Sequence, residues 1–322
     1  MDDNIKEPLL VSIAVATYNG EKFLKEQLNS LISQTYKNIE IIISDDGSTD
    51  GTLEILYDYQ KEYPFVSIKQ NASPHGIKRN FENALKYCNG KFIAFSDQDD
   101  IWMLDKIEKL VNVIGNNALA YHDSLFVDDD GTSLNKTFSD VFRRYSGHNP
   151  LAYLLSNSVS GHALLFHRKL LEIALPFPDA RHHDWWLAFR AADNGGVKFL
   201  DEVLVHYRQH QNSETDFLNL KTKEVDYEKI ERENIEWFET CATANGKYQK
   251  FIKKWIKVYK ERNNNKFNFK MFFMSIAQLN ALYAMRKKGT LSNFFYVLKN
   301  SWGERTKEKF RNRKKKALTS LN

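Results

Sequence analysis

The 322-residue chain has room for one large domain and a smaller appended one, and its 42% hydrophobic and 27% charged content excludes a disordered polyelectrolyte. No run of about 18 apolar residues occurs, which argues against a membrane-spanning helix, and two cysteines, Cys88 and Cys241, supply neither a disulfide framework nor a zinc site. The net charge of +5 conceals a split, with carboxylates crowded into residues 40–130 and eight Lys or Arg in residues 305–316.

Residues 1–7 are acidic and carry no apolar signal segment, so a cytoplasmic protein is expected. Residues 9–16 form an almost wholly apolar run, the pattern of a strand buried on both faces. Thr17, Tyr18, Asn19 and Gly20 supply turn chemistry, and Phe23, Leu24, Leu28, Leu31 and Ile32 then recur at helical spacing. A second buried strand is predicted over 39–44, running into Asp45, Asp46, Gly47, Ser48, Thr49 and Asp50. The helix after it turns Leu53, Ile55, Leu56 and Tyr59 inward, with Thr49 or Asp50 able to cap it. Residues 66–68 make a short strand, His75 and Gly76 a turn, and 81–87 a helix stopped at Asn89 and Gly90.

A fourth strand, 92–95, delivers Ser96, Asp97, Gln98, Asp99, Asp100, Ile101 and Trp102. Three carboxylates in four residues repel one another, so gathering them at a strand end calls for a cation, and hard oxygen ligands suit Mg2+ or Mn2+. Taken alone, the cluster could also be a solvated acidic turn. Asp100 is expected to cap a helix whose apolar face includes Ile101, Trp102, Ile107 and Leu110, with Trp102 in the core.

Alternating strands and helices predict an α/β domain with a mainly parallel sheet, whose ligands sit beyond the carboxyl ends of the strands, where Thr17, Asp45 and Asp97 all fall. Further strands are predicted at 118–121, 162–167, 197–200 and 203–207, and helices at 150–156 and 184–192. Long helical patterns rich in Lys, Glu and aromatic residues cover 226–259, 266–286 and 291–301. The expected division is therefore residues 1–215 for the α/β domain and 216–322 for a C-terminal helical region with a basic tail.

Three motifs stand in order: Ala16-Thr17-Tyr18-Asn19-Gly20, Asp45-Asp46-Gly47-Ser48-Thr49-Asp50 and Ser96-Asp97-Gln98-Asp99-Asp100-Ile101-Trp102. With His183-Asp184-Trp185-Trp186 and Tyr207-Arg208-Gln209-His210 behind them, the chain resembles the family 2 glycosyltransferases over roughly residues 10–213. The resemblance implies a GT-A nucleotide-diphospho-sugar transferase fold and inverting, metal-dependent transfer. Thr17, Tyr18 and Asn19 would hold the nucleobase, Asp45 the base or ribose with Asp46 beside it, and Asp97 the ribose and metal. Asp46 could equally cap the following turn. Asp99 and His210 would complete the Mn2+ or Mg2+ site, and Arg208 would lie over the donor diphosphate, although Gln211 stands where relatives often have Gly. Asp184 would be the general base, and a single base without a second carboxylate suits inversion. Asp184 could also simply cap its helix. His162 reads as a core residue, His183 could tune the base by hydrogen bonding or be a surface residue, and Arg79 and Asn80 are divided between the donor side and the surface.

The wording of these motifs points first to dTDP-rhamnose as donor, with UDP-galactose or UDP-glucose as the alternative. The acceptor would be a cell-surface glycan, of the polyprenyl-diphosphate-linked kind. That acceptor would give the basic C-terminal region a reason to lie on the inner face of the membrane, although these helices could equally form a homodimer or cover the catalytic domain, and the tail could be merely solvated. No nucleic-acid partner is expected, because the tail lacks interleaved stacking aromatics. A nucleotidyltransferase would want a Gly-rich, Arg-containing loop after the first strand, and an Asp-nucleophile phosphatase a different aspartate spacing. A catalytically silent sugar-binding scaffold is disfavoured by the intact Asp97, Asp99 and Asp184.

Overall fold

The computed structural model describes residues 8–72, 75–209, 226–263 and 266–302. The chain divides into two compact units, one of residues 1–148 with 157–224 and one of 149–156 with 225–322. The division expected near residue 215 falls in the segment 210–225, outside the described residues, as does the basic tail.

The first unit runs β1 (Val11–Thr17), α1 (Glu21–Ile32), β2 (Ile39–Asp45), α2 (Thr52–Glu62), β3 (Val66–Gln70), α3 (Ile77–Leu85) and β4 (Phe92–Ser96). It continues through β5 (Ile101–Trp102), α4 (Lys106–Ile114), β6 (Leu119–Val127), β7 (Ser133–Thr137), α5 (Phe138–Val141), β8 (Leu164–His167), α6 (Leu171–Ala174), α7 (His183–Asp193) and β9 (Val197–Arg208). Among the described residues these strands form one sheet in the order β3-β2-β1-β4-β8-β6-β9-β5, with β7 paired antiparallel to β6 off this path. The β3-β2-β1-β4 half is parallel. All seven residues of β1 are buried, as a central strand covered on both faces demands. On α1, Leu24, Leu28 and Leu31 sit at zero exposure in the core cluster with Ile13, Val15 and Ile41, each such burial contributing about 1.5–3 kcal/mol.

Beyond β4 the sheet is mixed. β8 is antiparallel to β4 and β6, β9 runs parallel to β6, and β5 is antiparallel to β9. Two predicted strands, 197–200 and 203–207, are one strand, β9, whose pairing with β6 slips around Asp123. Predicted strand 162–167 begins as a 3-10 turn, Gly161–Ala163, and only Leu164–His167 joins the sheet. Ile101 and Trp102 are strand rather than helix, because Ile101 and Trp102 pair with His206 and Val205 and the Trp102 amide donates to Ser30 Oγ at 3.1 Å. Neither partner is visible in local periodicity. Cys88 is a buried free thiol that donates to the Ala84 carbonyl at 3.5 Å, and burial, ahead of the Glu40 charge, pushes it up to about 12.

The second unit holds α8 (Tyr227–Thr243), α9 (Gln249–Lys260), α10 (Phe269–Ala277), α11 (Leu279–Leu282) and α12 (Thr290–Asn300). The helix predicted over 226–259 breaks at Ala244, where Asn245 and Gly246 follow. The helix expected over 150–156 is only the 3-10 turn Pro150–Tyr153, and this segment meets α8 where Trp237 Nε1 donates to the Leu154 carbonyl at 3.1 Å. Among the described residues no helix is long and apolar enough to cross a membrane.

Candidate active site

Parallel register places Thr17, the last residue of β1, beside Asp45, the last of β2, and the Thr17 hydroxyl donates to Asp45 Oδ2 at 2.9 Å. The other bonds of Asp45 are local: Oδ1 accepts from the Gly47 and Ser48 amides at 3.1 and 2.8 Å, and Oδ2 from the Ser48 hydroxyl at 2.6 Å. The turn needs Gly47, whose φ is +88°. Asp45 is thus fully buried and committed to shaping its loop, rather than reaching outward to a base or ribose as expected. Asp46 does not cap the next turn either. Its Oδ1 meets Asn71 Nδ2 at 2.7 Å and the His75 ring at 3.0 Å, and its Oδ2 takes the Gly76 amide at 2.7 Å, where α3 begins.

The loop after β1 is tied to the acidic loop by one side chain. Gln98 accepts from the Tyr18 amide at 2.8 Å through Oε1 and donates to the Tyr18 carbonyl at 3.0 Å through Nε2. A Cβ at Gly20 would collide with that amide, so a side chain there would displace Gln98 from Tyr18. Asn19, at φ +47°, accepts from the Thr49 amide at 2.8 Å and donates its own amide to Ser48 Oγ at 2.9 Å. These bonds hold the Tyr18 side chain 56% exposed at the rim.

Asp97 and Asp100 lie with His162 in a group whose ligating atoms are all within 4.8 Å of one another. His162 Nδ1 is 4.0 Å from Asp97 Oδ2 and 3.9 Å from Asp100 Oδ2, while its Nε2 meets the Ser124 hydroxyl at 2.9 Å. The ring stacks on Tyr207 at 4.2 Å, and burial, followed by the Lys106 and Arg144 charges, keeps its pKa well below the usual imidazole value. A neutral imidazole anchored at its far nitrogen is a competent metal ligand. Asp100 is buried, with Oδ2 lacking any hydrogen-bond partner, and burial followed by the Asp99 and Asp97 charges raises it well above the carboxylate range. Two carboxylates and one imidazole, with one buried oxygen left over, fit a small hard divalent cation.

This set differs from the expected Asp97, Asp99 and His210. His210 lies outside the described residues, and the Asp99 carboxylate is not in the group. Asp100 does not cap a helix as expected, because α4 begins only at Lys106, behind Asp105. His162 is buried as foreseen, yet it faces the carboxylates. Arg208 is also placed differently, since its side chain is only 1% exposed. Its Nε donates to the Asp99 carbonyl at 2.9 Å, its Nη1 to the Asp128 and Asp129 carbonyls, and its Nη2 to Glu26 at 2.7 Å. Its amide donates to Asp100 Oδ1 at 3.1 Å. The guanidinium therefore braces the acidic loop from below instead of reaching for phosphate.

Lys106 was not foreseen. Its buried Nζ donates to the His162 carbonyl at 2.5 Å over the Trp102 ring, whose core placement is as expected, and burial lowers its pKa well below the lysine value despite Asp100 and Asp97. Asn80 is buried and donates to the Thr17 carbonyl at 3.0 Å, whereas Arg79 pairs with Glu82 and Asp179. Asp184 stands in the first turn of α7 behind the N-cap His182, half-buried, with Oδ1 accepting from the Trp185 amide at 2.5 Å. The preceding His183 is a core residue, contrary to its surface reading. Its ring lies 5.2 Å from Phe95, next to Ser96 at the end of β4, which brings the start of α7 to the same sheet edge.

The model of glycosyl transferase family 2 matches residues 12–173. The chain belongs to that family. The dTDP-rhamnosyl transferase RfbG of Shigella flexneri is 32% identical over 214 residues, 62% of this chain and 73% of the relative. The UDP-Glc:alpha-D-GlcNAc-diphosphoundecaprenol beta-1,3-glucosyltransferase WfaP of Escherichia coli is 31% identical over 208 residues, 63% of this chain and 79% of the relative. The solved mannosyltransferase PcManGT of Pyrobaculum calidifontis, in complex with GDP-Man and Mn2+, shares the fold at TM-score 0.53 and 15% identity, with 90% of this chain and 85% of that one covered. The fold is accordingly GT-A, and this family 2 member is a glycosyltransferase that uses a nucleotide sugar.

Proposed function

We propose that the protein is an inverting, metal-dependent hexosyltransferase that moves a sugar, rhamnose from dTDP-rhamnose as first candidate, to a hydroxyl of a growing cell-surface glycan. The observation that carries this reading is the grouping of Asp97, Asp100 and His162 at the sheet edge where Thr17 and Asp45 also end. The donor of RfbG supports the choice of dTDP-rhamnose. The name of WfaP supports UDP-glucose as the alternative and a polyprenyl-diphosphate-linked acceptor, which accords with work at the cytoplasmic face of a membrane. The activity is assigned to the sheet unit, with the helical unit as accessory.

Asp97, Asp100 and His162 would hold Mn2+ or Mg2+, which when bound offsets the charge growing on the departing nucleoside diphosphate. Asp99 adds negative charge beside them. Tyr18 offers an exposed ring for the base to stack on, on a loop that Asp45, Thr17, Asn19 and Gln98 hold rigid. Asp184 takes the proton of the acceptor hydroxyl as the sugar arrives.

The test is nucleoside diphosphate release from dTDP-rhamnose, UDP-glucose and UDP-galactose with a polyprenyl-diphosphate-linked acceptor, in Mn2+ or in chelator. One donor should turn over only with the divalent ion. Asp184→Asn should still bind that donor while transfer falls about 100- to 10,000-fold. Full activity in the variant removes Asp184 as base, and release independent of divalent ions removes the metal role.

A further inference from the structure

Helices α10 and α12 carry a surface that sugar transfer does not use. Phe269 and Phe273, one turn apart on α10, are 66% and 64% exposed, and Leu291 and Phe295, one turn apart on α12, are 72% and 58% exposed. Rings join the two helices: Phe272 lies 5.4 Å from Phe273 and 5.9 Å from Phe294, which is 5.7 Å from Phe295. The patch is continuous rather than a scatter of single apolar side chains.

Each helix already has an inner face, with Met271 and Ser275 buried on α10 and Asn293 and Val297 on α12, so the exposed phenylalanines form a second apolar face that the fold leaves outward. The frame is fixed, since Asn268 caps α10 through the Met271 amide at 2.9 Å and its own amide donates to the Ser301 carbonyl, just after α12, at 2.8 Å.

Charge decides the partner. From residue 262 to 303 the sequence holds seven Lys or Arg and no Asp or Glu, and Lys266, Lys270, Lys288 and Lys299 are exposed. A second copy docking by the same face would set these cations against their equals with no carboxylate to answer them. An anionic bilayer satisfies both features at once. Its headgroups meet the ammonium groups, and its acyl boundary takes the rings and Leu291.

We infer that the α10–α12 face is a bilayer-docking surface whose partner is anionic phospholipid. The full chain should co-sediment with vesicles of phosphatidylcholine containing about one quarter phosphatidylglycerol at least about tenfold more strongly than with phosphatidylcholine alone. Phe273→Ser with Phe295→Ser should weaken that binding about tenfold or more, with circular dichroism and nucleotide-sugar hydrolysis in solution unchanged. Lys270→Gln with Lys288→Gln should reduce binding to the anionic vesicles and flatten its salt dependence. Three results would overturn the inference: no preference for anionic vesicles, undiminished binding by the phenylalanine variant, or a dimer that this variant converts to monomer in sedimentation velocity.

Discussion

At residue scale, His183 shows what burying an imidazole among aromatic rings can cost. Its ring sits among Phe81, Phe95 and Phe177, with neither nitrogen bonded, and burial, ahead of the His182 and Lys78 charges, holds its pKa at about 3. The unfolded imidazole still protonates near 6.5, so below that pH the unfolded state binds the extra proton. Stability is fully present above pH 6.5 and is lost as pH falls toward 3, at about 1.4 kcal/mol per pH unit. His183→Phe should flatten this slope in denaturant titrations run at several pH values, and at neutral pH it should be neutral or stabilising by about 1 kcal/mol. Asp100→Asn probes a second buried group left without a partner. It keeps an oxygen for the Arg208 amide while removing the charge, so Mn2+ affinity, read by electron paramagnetic resonance, should fall about tenfold or more without loss of fold.

At element scale, the mixed half of the sheet is fastened by a buried ion pair. Arg144 Nη2 donates to Asp123 Oδ1 on β6 at 2.6 Å, both side chains are 7% exposed, and Arg144 Nη1 donates to the Ser158 carbonyl at 2.5 Å. Arg144→Met strands the Asp123 carboxylate, and chemical denaturation should show a loss of about 3–5 kcal/mol. Neither partner was legible in sequence, because β6, the 139–144 segment and Ser158 meet only in the folded sheet. By contrast, Thr17, Asp45 and Asp97 were placed correctly at strand ends, since a largely apolar run that stops at a polar residue marks both a central strand and its exit. What periodicity could not reveal was direction. It located Asp45 and Arg208 but not that their polar atoms turn inward, and it left His162 as core without the carboxylates it faces.

At the scale of the whole molecule, the two units differ in chemistry as well as in architecture. The sheet unit gathers carboxylates at one edge, and the helical unit exposes aromatic rings within a stretch free of acidic residues. Mn2+ together with the correct nucleoside diphosphate, each near 100 times its dissociation constant, should stabilise the protein by about 2.7 kcal/mol, measured as a raised calorimetric midpoint that chelator abolishes. A midpoint unmoved by the pair would separate nucleotide binding from the acidic cluster.

The Gln98 amide acts as an additional rung. Pairing of β1 with β4 stops at Val15 and Ser96, where the two backbones part. A planar group carrying both a donor and an acceptor then continues the ladder from a side chain, meeting Tyr18 as another peptide unit would. Gln98→Glu keeps the shape but loses the donor, and Gln98→Met loses both. Either change would unzip the loop after β1 from the acidic loop at its last tooth while leaving every carboxylate in place.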